Sequence, residues 1–227
     1  MKAPFVLRAT DRIPTRWKNG GGVTREVAVF PIGASFDDFL WRISMAEVRV
    51  NGPFSNFPGI DRRLAVIEGT LSLKVGADSA IQLSPDSEPV ALAGDVPTDA
   101  TVVVGPVTDL NVMTRRGRVR STLRRHLVRE PQHIQTVAVT TVLLAHDEIS
   151  ITHGDIQHTL AAFDAILIEP ATPLTLTPLS RGPSSPGPSI PGPTVPSPGG
   201  SSNLKSPPRA ARAVCYVIEL CDASPPR

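Results

Sequence analysis

Arginine, carboxylate and amide side chains crowd into a few short blocks of this chain. Trp17-Lys18-Asn19-Gly20-Gly21-Gly22-Val23-Thr24-Arg25-Glu26 joins a glycine triplet to a Trp, an Asn and an Arg-Glu pair. A second block, Phe39 to Ala46, carries Trp41, Arg42 and Ser44, and leads into Gly52 to Arg62, where Phe57 precedes the pair Asp61-Arg62. Asn111 and Met113 stand just before Arg115 and Arg116. A planar guanidinium binds a carboxylate in bidentate fashion, so arginines brought to one mouth suit a small anionic ligand. In that arrangement Arg25, Arg42 and Arg62 fix the acid and Asn19 and Asn111 add hydrogen bonds. Trp17, Trp41 and Phe57 form apolar walls, and Glu26, Ser44, Asp61, Met113 and Arg115 complete the candidate set. The alternative is that Arg25-Glu26 and Asp61-Arg62 are rim ion pairs that hold loops together and contribute little energy.

Two other chemistries compete with binding. Glu26 or Asp61 adjoining the arginines could act as general base in a metal-independent isomerase or hydrolase. Nucleophilic catalysis has little support, because Ser44 and Ser55 have no histidine nearby in sequence and no Gly-x-Ser-x-Gly frame. The glycine triplet is not followed by the Gly-Lys and helix of a phosphate-cradling loop, so it reads as a turn into a strand.

The elements that must position these residues are strands. Phe39, Trp41, Ile43 and Met45 alternate with Leu40, Arg42, Ser44 and Ala46, the period of two that puts an apolar face behind a smaller, more polar one. Residues Leu64 to Val75 read as two strands joined at Glu68-Gly69, and Val142 to Ile151 as a similar hairpin. Further apolar runs at Thr101 to Val104, Leu110 to Met113, Ala165 to Glu169 and Ala213 to Leu220 are punctuated by Gly, Pro and Asp. Helical period is almost absent, so the chain is expected to be an all-β sandwich or barrel. The second half weakly repeats the first: one pseudo-duplicated domain over 1–227, with halves at about 1–117 and 130–222. Residues 178–208 hold ten of the 24 prolines, with Gly and Ser making up most of the rest. They read as a disordered surface insertion between two strands.

Bulk properties narrow the partners. A formal charge of +2 is too weak to imply nucleic-acid or membrane binding by itself. The basic run Arg115 to Arg129 lacks interleaved aromatics and a nucleic-acid motif, and reads as a solvated connector between the halves. Binding of nucleic acid or protein through it is kept as a second alternative. No apolar stretch of signal-peptide or membrane-spanning length occurs, so a soluble cytoplasmic protein is expected. Cys215 and Cys221 share one face of one expected strand, roughly 20 Å apart, and cannot pair with each other.

The blocks Trp17 to Glu26, Trp41 to Ser44 with Ala46, Gly52 to Arg62, Ala93-Gly94-Asp95 and Asp109 to Gly117 together resemble the HutD/Ves family. These are small cupin-fold proteins, some encoded beside histidine-degradation genes. The resemblance implies a cupin-type, RmlC-like jelly roll with a pseudo-duplicated double β-barrel. It makes urocanate or formylglutamate-like acids the natural ligands, in a protein that modulates histidine utilisation with little or no chemistry of its own. Cupin enzymes hold a metal through a His-x-His pair, a Glu and a further His. Here the five histidines all lie beyond residue 125, and His153 and His158, the closest pair, read as loop histidines. No metal and no cofactor is therefore expected. A homodimer is compatible with all of this.

Overall fold

The computed structural model describes residues 5–17, 20–168, 170, 172–179 and 211–223. Asn19 and residues 180–208 of the expected insertion lie outside these. The first strands are β1 (Phe5–Leu7), β2 (Pro14–Arg16), β3 (Gly22–Phe30), β4 (Trp41–Val48), β5 (Gly52–Pro53), β6 (Ile60–Val75), β7 (Ile81–Leu83), β8 (Val90–Ala93) and β9 (Thr98–Arg115). They are followed by β10 (Val119–Val128), β11 (Gln132–Gln135), β12 (Thr140–Ala145), β13 (Ile149–His153), β14 (Ile156–Leu160), β15 (Ala165–Ile168), β16 (Pro173–Pro178) and β17 (Ala213–Asp222). Among the described residues, one 3-10 turn at Ala9–Asp11 is the sole helical element.

An eight-stranded sheet contains β2-β3-β4-β9-β6-β7, with β5 on β9 and β8 on β6. The second half builds a five-stranded sheet, β1-β15-β12-β17-β10, and a four-stranded sheet, β11-β16-β13-β14. All pairings described between strands are antiparallel, the arrangement in which each strand alternates between two faces. The alternation expected of β4 is present. Trp41, Ile43 and Met45 join Leu110, Val112, Tyr216 and Ile218 in the core between the eight- and five-stranded sheets. The opposite face of the first sheet encloses Val48, Leu64, Val66, Leu71, Leu73 and Val107. A third core, with Leu143, Ile151, Ile166, Leu176 and Cys215, fills the space between the two sheets of the second half.

Four readings of the sequence need correction. Leu64 to Val75 is not a hairpin but part of one long strand, whose register against β9 shifts between Val66 and Glu68 and again at Thr70 and Leu71. Gly69 sits in that irregularity with φ of 77°, and a Cβ there would meet the carbonyl oxygens of Val104 at 2.5 Å and Pro106 at 2.7 Å. The glycine thus marks a bulge that bends the sheet rather than a turn. Val142 to Ile151 is no hairpin either, since β12 pairs with β15 and β17 while β13 pairs with β14 and β16. Residues 119–128 of the basic run form β10 instead of a connector, in register with all of β17. Arg124 meets Glu219 across the pair at 3.4 Å and Arg125 meets Asp86 of the turn after β7 at 3.1 Å, so these carboxylates absorb part of the charge. His153 and His158 lie on β13 and β14, not in a loop. Cys215 and Cys221 are on one strand and both are free, as expected.

Candidate functional site

Register decides which of the candidate side chains meet. Cross-strand partners share a face, and the first sheet lines up three successive rows. Arg42, Met113 and Arg62 form the first, and Glu26, Ser44, Asn111 and Leu64 the second. Thr24, Ala46, Asp109 and Val66 form the third. The rows stand on the enclosed face, the apolar floor of which is supplied by Val48, Leu64, Val66 and Val107.

Within these rows the polar groups organise each other. Arg42 pairs with Glu26 at 3.0 Å, and its guanidinium lies 4.1 Å from the centre of the Phe36 ring. Phe36 stacks on Phe57 with ring centres 5.6 Å apart. Arg62 is only 6% exposed, and its guanidinium lies 5.0 Å from the Phe54 ring centre and 5.8 Å from that of Phe57. Its Nε donates to Asn111 Oδ1 at 3.2 Å. Trp17 packs against the apolar floor, and its Nε1 donates to Thr24 Oγ1 at 2.8 Å. The glycine triplet makes this placement feasible: Gly20 has φ of 72°, and a Cβ on Gly22 would collide with Glu47 O and approach the Trp17 ring to 3.1 Å. Glycine at 22 therefore leaves room for the indole and the neighbouring strand.

Asp109 is the least expected member. It is 1% exposed and its Oδ1 has no hydrogen-bond partner. Burial pushes its carboxyl up to about 7, against the opposing effects of the Arg62 charge and the Ala46 backbone N–H. Burial likewise lowers the affinity of the Arg62 guanidinium for its proton, and the nearby Asp109 opposes that shift.

Other candidates are placed elsewhere. Arg25 pairs in register with Met45, on the opposite face from Glu26, and is exposed. It borders a cavity of about 290 Å³ with Arg12, Met45 and Phe163 instead of facing the rows. Trp41 belongs to the core between the halves and stacks on Phe30 at 5.9 Å. Asp61 projects away from Arg62 and pairs with Arg116 at 2.7 Å, and Arg116 also holds Asp95 at 2.8 Å. Arg115 donates from Nε to Phe39 O and from Nη2 to Asp37 O, so it anchors the segment before β4. The rows therefore gather Trp17, Glu26, Arg42, Ser44, Phe57, Arg62, Asn111 and Met113 and leave out Arg25, Trp41, Asp61 and Arg115. They add Phe36, Phe54, Thr24 and Asp109. Asp109 was discoverable: it stands two positions before Asn111 in an alternating strand.

A cavity of about 740 Å³ lies between β6 with β8 and the ends of β10 and β17. Arg62 and Arg120 are among its lining residues; of the others, Asp61 is engaged by Arg116, Glu219 by Thr122 and Arg124, and Arg63 by the Ser121 carbonyl. Among the described residues, no three His, Cys, Asp or Glu side chains cluster as a metal site.

The HutD family model matches residues 9–182. The chain belongs to the HutD family. This HutD-family chain is 38% identical over 109 residues to Protein Ves from Citrobacter koseri, a match covering 48% of the chain and 56% of Ves. The aligned part thus spans little more than half of that relative's length. A conserved protein of unknown function, PA5104 from Pseudomonas aeruginosa, superposes with a TM-score of 0.77 at 26% identity, covering 97% of the HutD-family chain and 100% of PA5104. HutD from Pseudomonas fluorescens superposes with a TM-score of 0.72 at 24% identity, covering 98% and 100%. A cupin 2 barrel-domain protein from Leptotrichia buccalis shares the fold alone, with a TM-score of 0.51, 6% identity and coverage of 94% and 99%. The HutD-family protein is all-β and of the cupin class.

Proposed function

We propose that the enclosed face of the first sheet binds a small carboxylate metabolite of the urocanate or formylglutamate kind, and that the protein modulates histidine utilisation through that binding. One observation carries the reading. Arg62 is buried against the Phe54 and Phe57 rings, and among the described residues no carboxylate is in ion-pair contact with it, Asp109 acting on it only at longer range. A buried cation needs a counter-charge, and a ligand carboxylate supplies one in bidentate geometry. Asn111 orients the guanidinium, and Phe54 and Phe57 offer flat surfaces for a planar conjugated acid. Arg42 is engaged by Glu26 and stacked on Phe36, so it shapes the rim.

The geometry favours binding over the alternative of general-base catalysis by Glu26 or Asp61. Glu26 is tied to Arg42, and Asp61 stands on the other face with Arg116.

Isothermal titration of the full chain with urocanate and formylglutamate tests the proposal. Arg62→Gln is expected to weaken binding by tenfold or more, since a hydrogen bond to a charged group contributes about 1.5–3 kcal/mol. Absence of binding by both acids at millimolar concentration, or an unchanged affinity in Arg62→Gln, removes the assignment.

A further inference from the structure

Asp109 has no role in the reading above, although it stands one row from Asn111 on the same enclosed face as Arg62. Its surroundings are unusual for a carboxyl group. The facing positions on β4 and β6 are Ala46 and Val66, which do not titrate. Among the described residues, the ionisable groups in the rows of the enclosed face are Arg62 on β6, Arg42 on β4 and Glu26 on β3, and the last two satisfy each other. Phe54 and Phe57 place apolar rings against the Arg62 guanidinium. Among the described residues, the counter-charge of an ionised Asp109 is therefore Arg62, the same group that a bound carboxylate needs.

We propose that Asp109 is a specificity-determining acid of this site, and that a carboxylate bound at Arg62 enters together with a proton held on Asp109. The inference rests on the carboxylate-binding reading of the same face. Two anions near one guanidinium in a poorly solvated enclosure repel each other strongly, so Asp109 loses its proton less readily with the ligand bound than in the empty site. Reciprocity then requires that protonation of Asp109 tighten the ligand by the same factor. The neutral carboxyl carries an O–H donor, and its second oxygen, Oδ1, has no partner within the protein. That group selects a ligand with an acceptor placed beside its carboxylate, by the logic that keeps a carboxylic acid neutral in an apolar site so that it can donate. Burial, which raises the proton affinity of this carboxyl to about 7, puts the coupling within the physiological range.

The test uses formylglutamate, with formate as a minimal carboxylate, because neither titrates between pH 6 and 9. Titrations at pH 8 in phosphate and in Tris, buffers of different ionisation heat, read out proton uptake directly. The expected result is an uptake approaching one proton per ligand and an affinity that falls by up to about tenfold per pH unit above neutrality. Asp109→Asn keeps a donor without a titrating proton, so it should abolish the uptake, flatten the pH dependence and bind at pH 8.5 at least as tightly as the parent. Binding with no proton uptake and no pH dependence overturns the inference while leaving the carboxylate site standing. Uptake that persists in Asp109→Asn overturns it as well. No binding at any pH removes the carboxylate reading itself, and with it this inference. The parent's buffer comparison decides the matter even if the variant does not fold.

Discussion

Asp109 shows how one buried group couples stability to pH. In the unfolded chain it ionises near its ordinary value of 3.8, whereas burial holds the proton up to about 7 in the fold. Between those values the native state binds more protons than the unfolded one. Stability from this group is fully present below the lower value and is lost as pH rises through the upper one. Asp109→Asn is expected to be more stable than the parent at pH 8 by about 1–3 kcal/mol, the cost of a buried group left uncompensated, with the gain shrinking toward pH 4. Urea denaturation at the two pH values measures the difference, and identical pH slopes for parent and variant would mean that Asp109 titrates normally. Arg62 is the complementary case. Its charge is desolvated by Phe54, Phe57 and the strand floor, and Asn111 Oδ1 accepts its one described hydrogen bond.

At the scale of elements, the bends in β6 and β9 matter more than their length. The register between them slips around Glu68 and Thr70, which lets Leu64 and Val66 from one end of β6 share a core with Leu71 and Leu73 from the other. Gly69 is the residue that permits it. With positive φ and two carbonyl oxygens inside contact distance of any Cβ, Gly69→Ala is expected to cost about 1–3 kcal/mol. A chemical denaturation midpoint equal to that of the parent would contradict this reading of the bulge. The glycine was visible in the sequence, but its neighbours were not. Glu68-Gly69 between two alternating runs has the local chemistry of a turn, and only pairing of both runs with the same long β9 distinguishes a bulge from a hairpin. The same limit applies at Val142 to Ile151, where the two strands belong to different sheets.

For the whole molecule, the core between the eight- and five-stranded sheets ties the halves together. Trp41, Ile43, Leu110 and Val112 from one side meet Val142, Leu144, Tyr216 and Ile218 from the other. The first described strand, β1, also lies in the second half's sheet, paired with β15. Both features predict that the halves unfold as one unit. Leu110→Ala, at a fully buried position in this core, is expected to cost about 2–5 kcal/mol while the transition stays single. Two separated transitions by circular dichroism and calorimetry would show that the halves are energetically independent.

Composition and the period of two in Trp41 to Ala46 determined the fold class, because alternation is a local property that any strand must display to bury one face. The family motifs pointed to the same first half that carries the rows of Arg42, Arg62 and Asn111. What the tertiary structure decided is partnership. Adjacent residues on a strand point to opposite faces, so Arg25 cannot share a site with Glu26, nor Asp61 with Arg62, however suggestive those pairs look along the chain. Glu26 instead finds Arg42 on the next strand, Asp61 finds Arg116, and Arg62 is left beside Asn111 and near Asp109 without an ion pair. Cross-strand register and burial set those relations, and neither is encoded in sequence spacing.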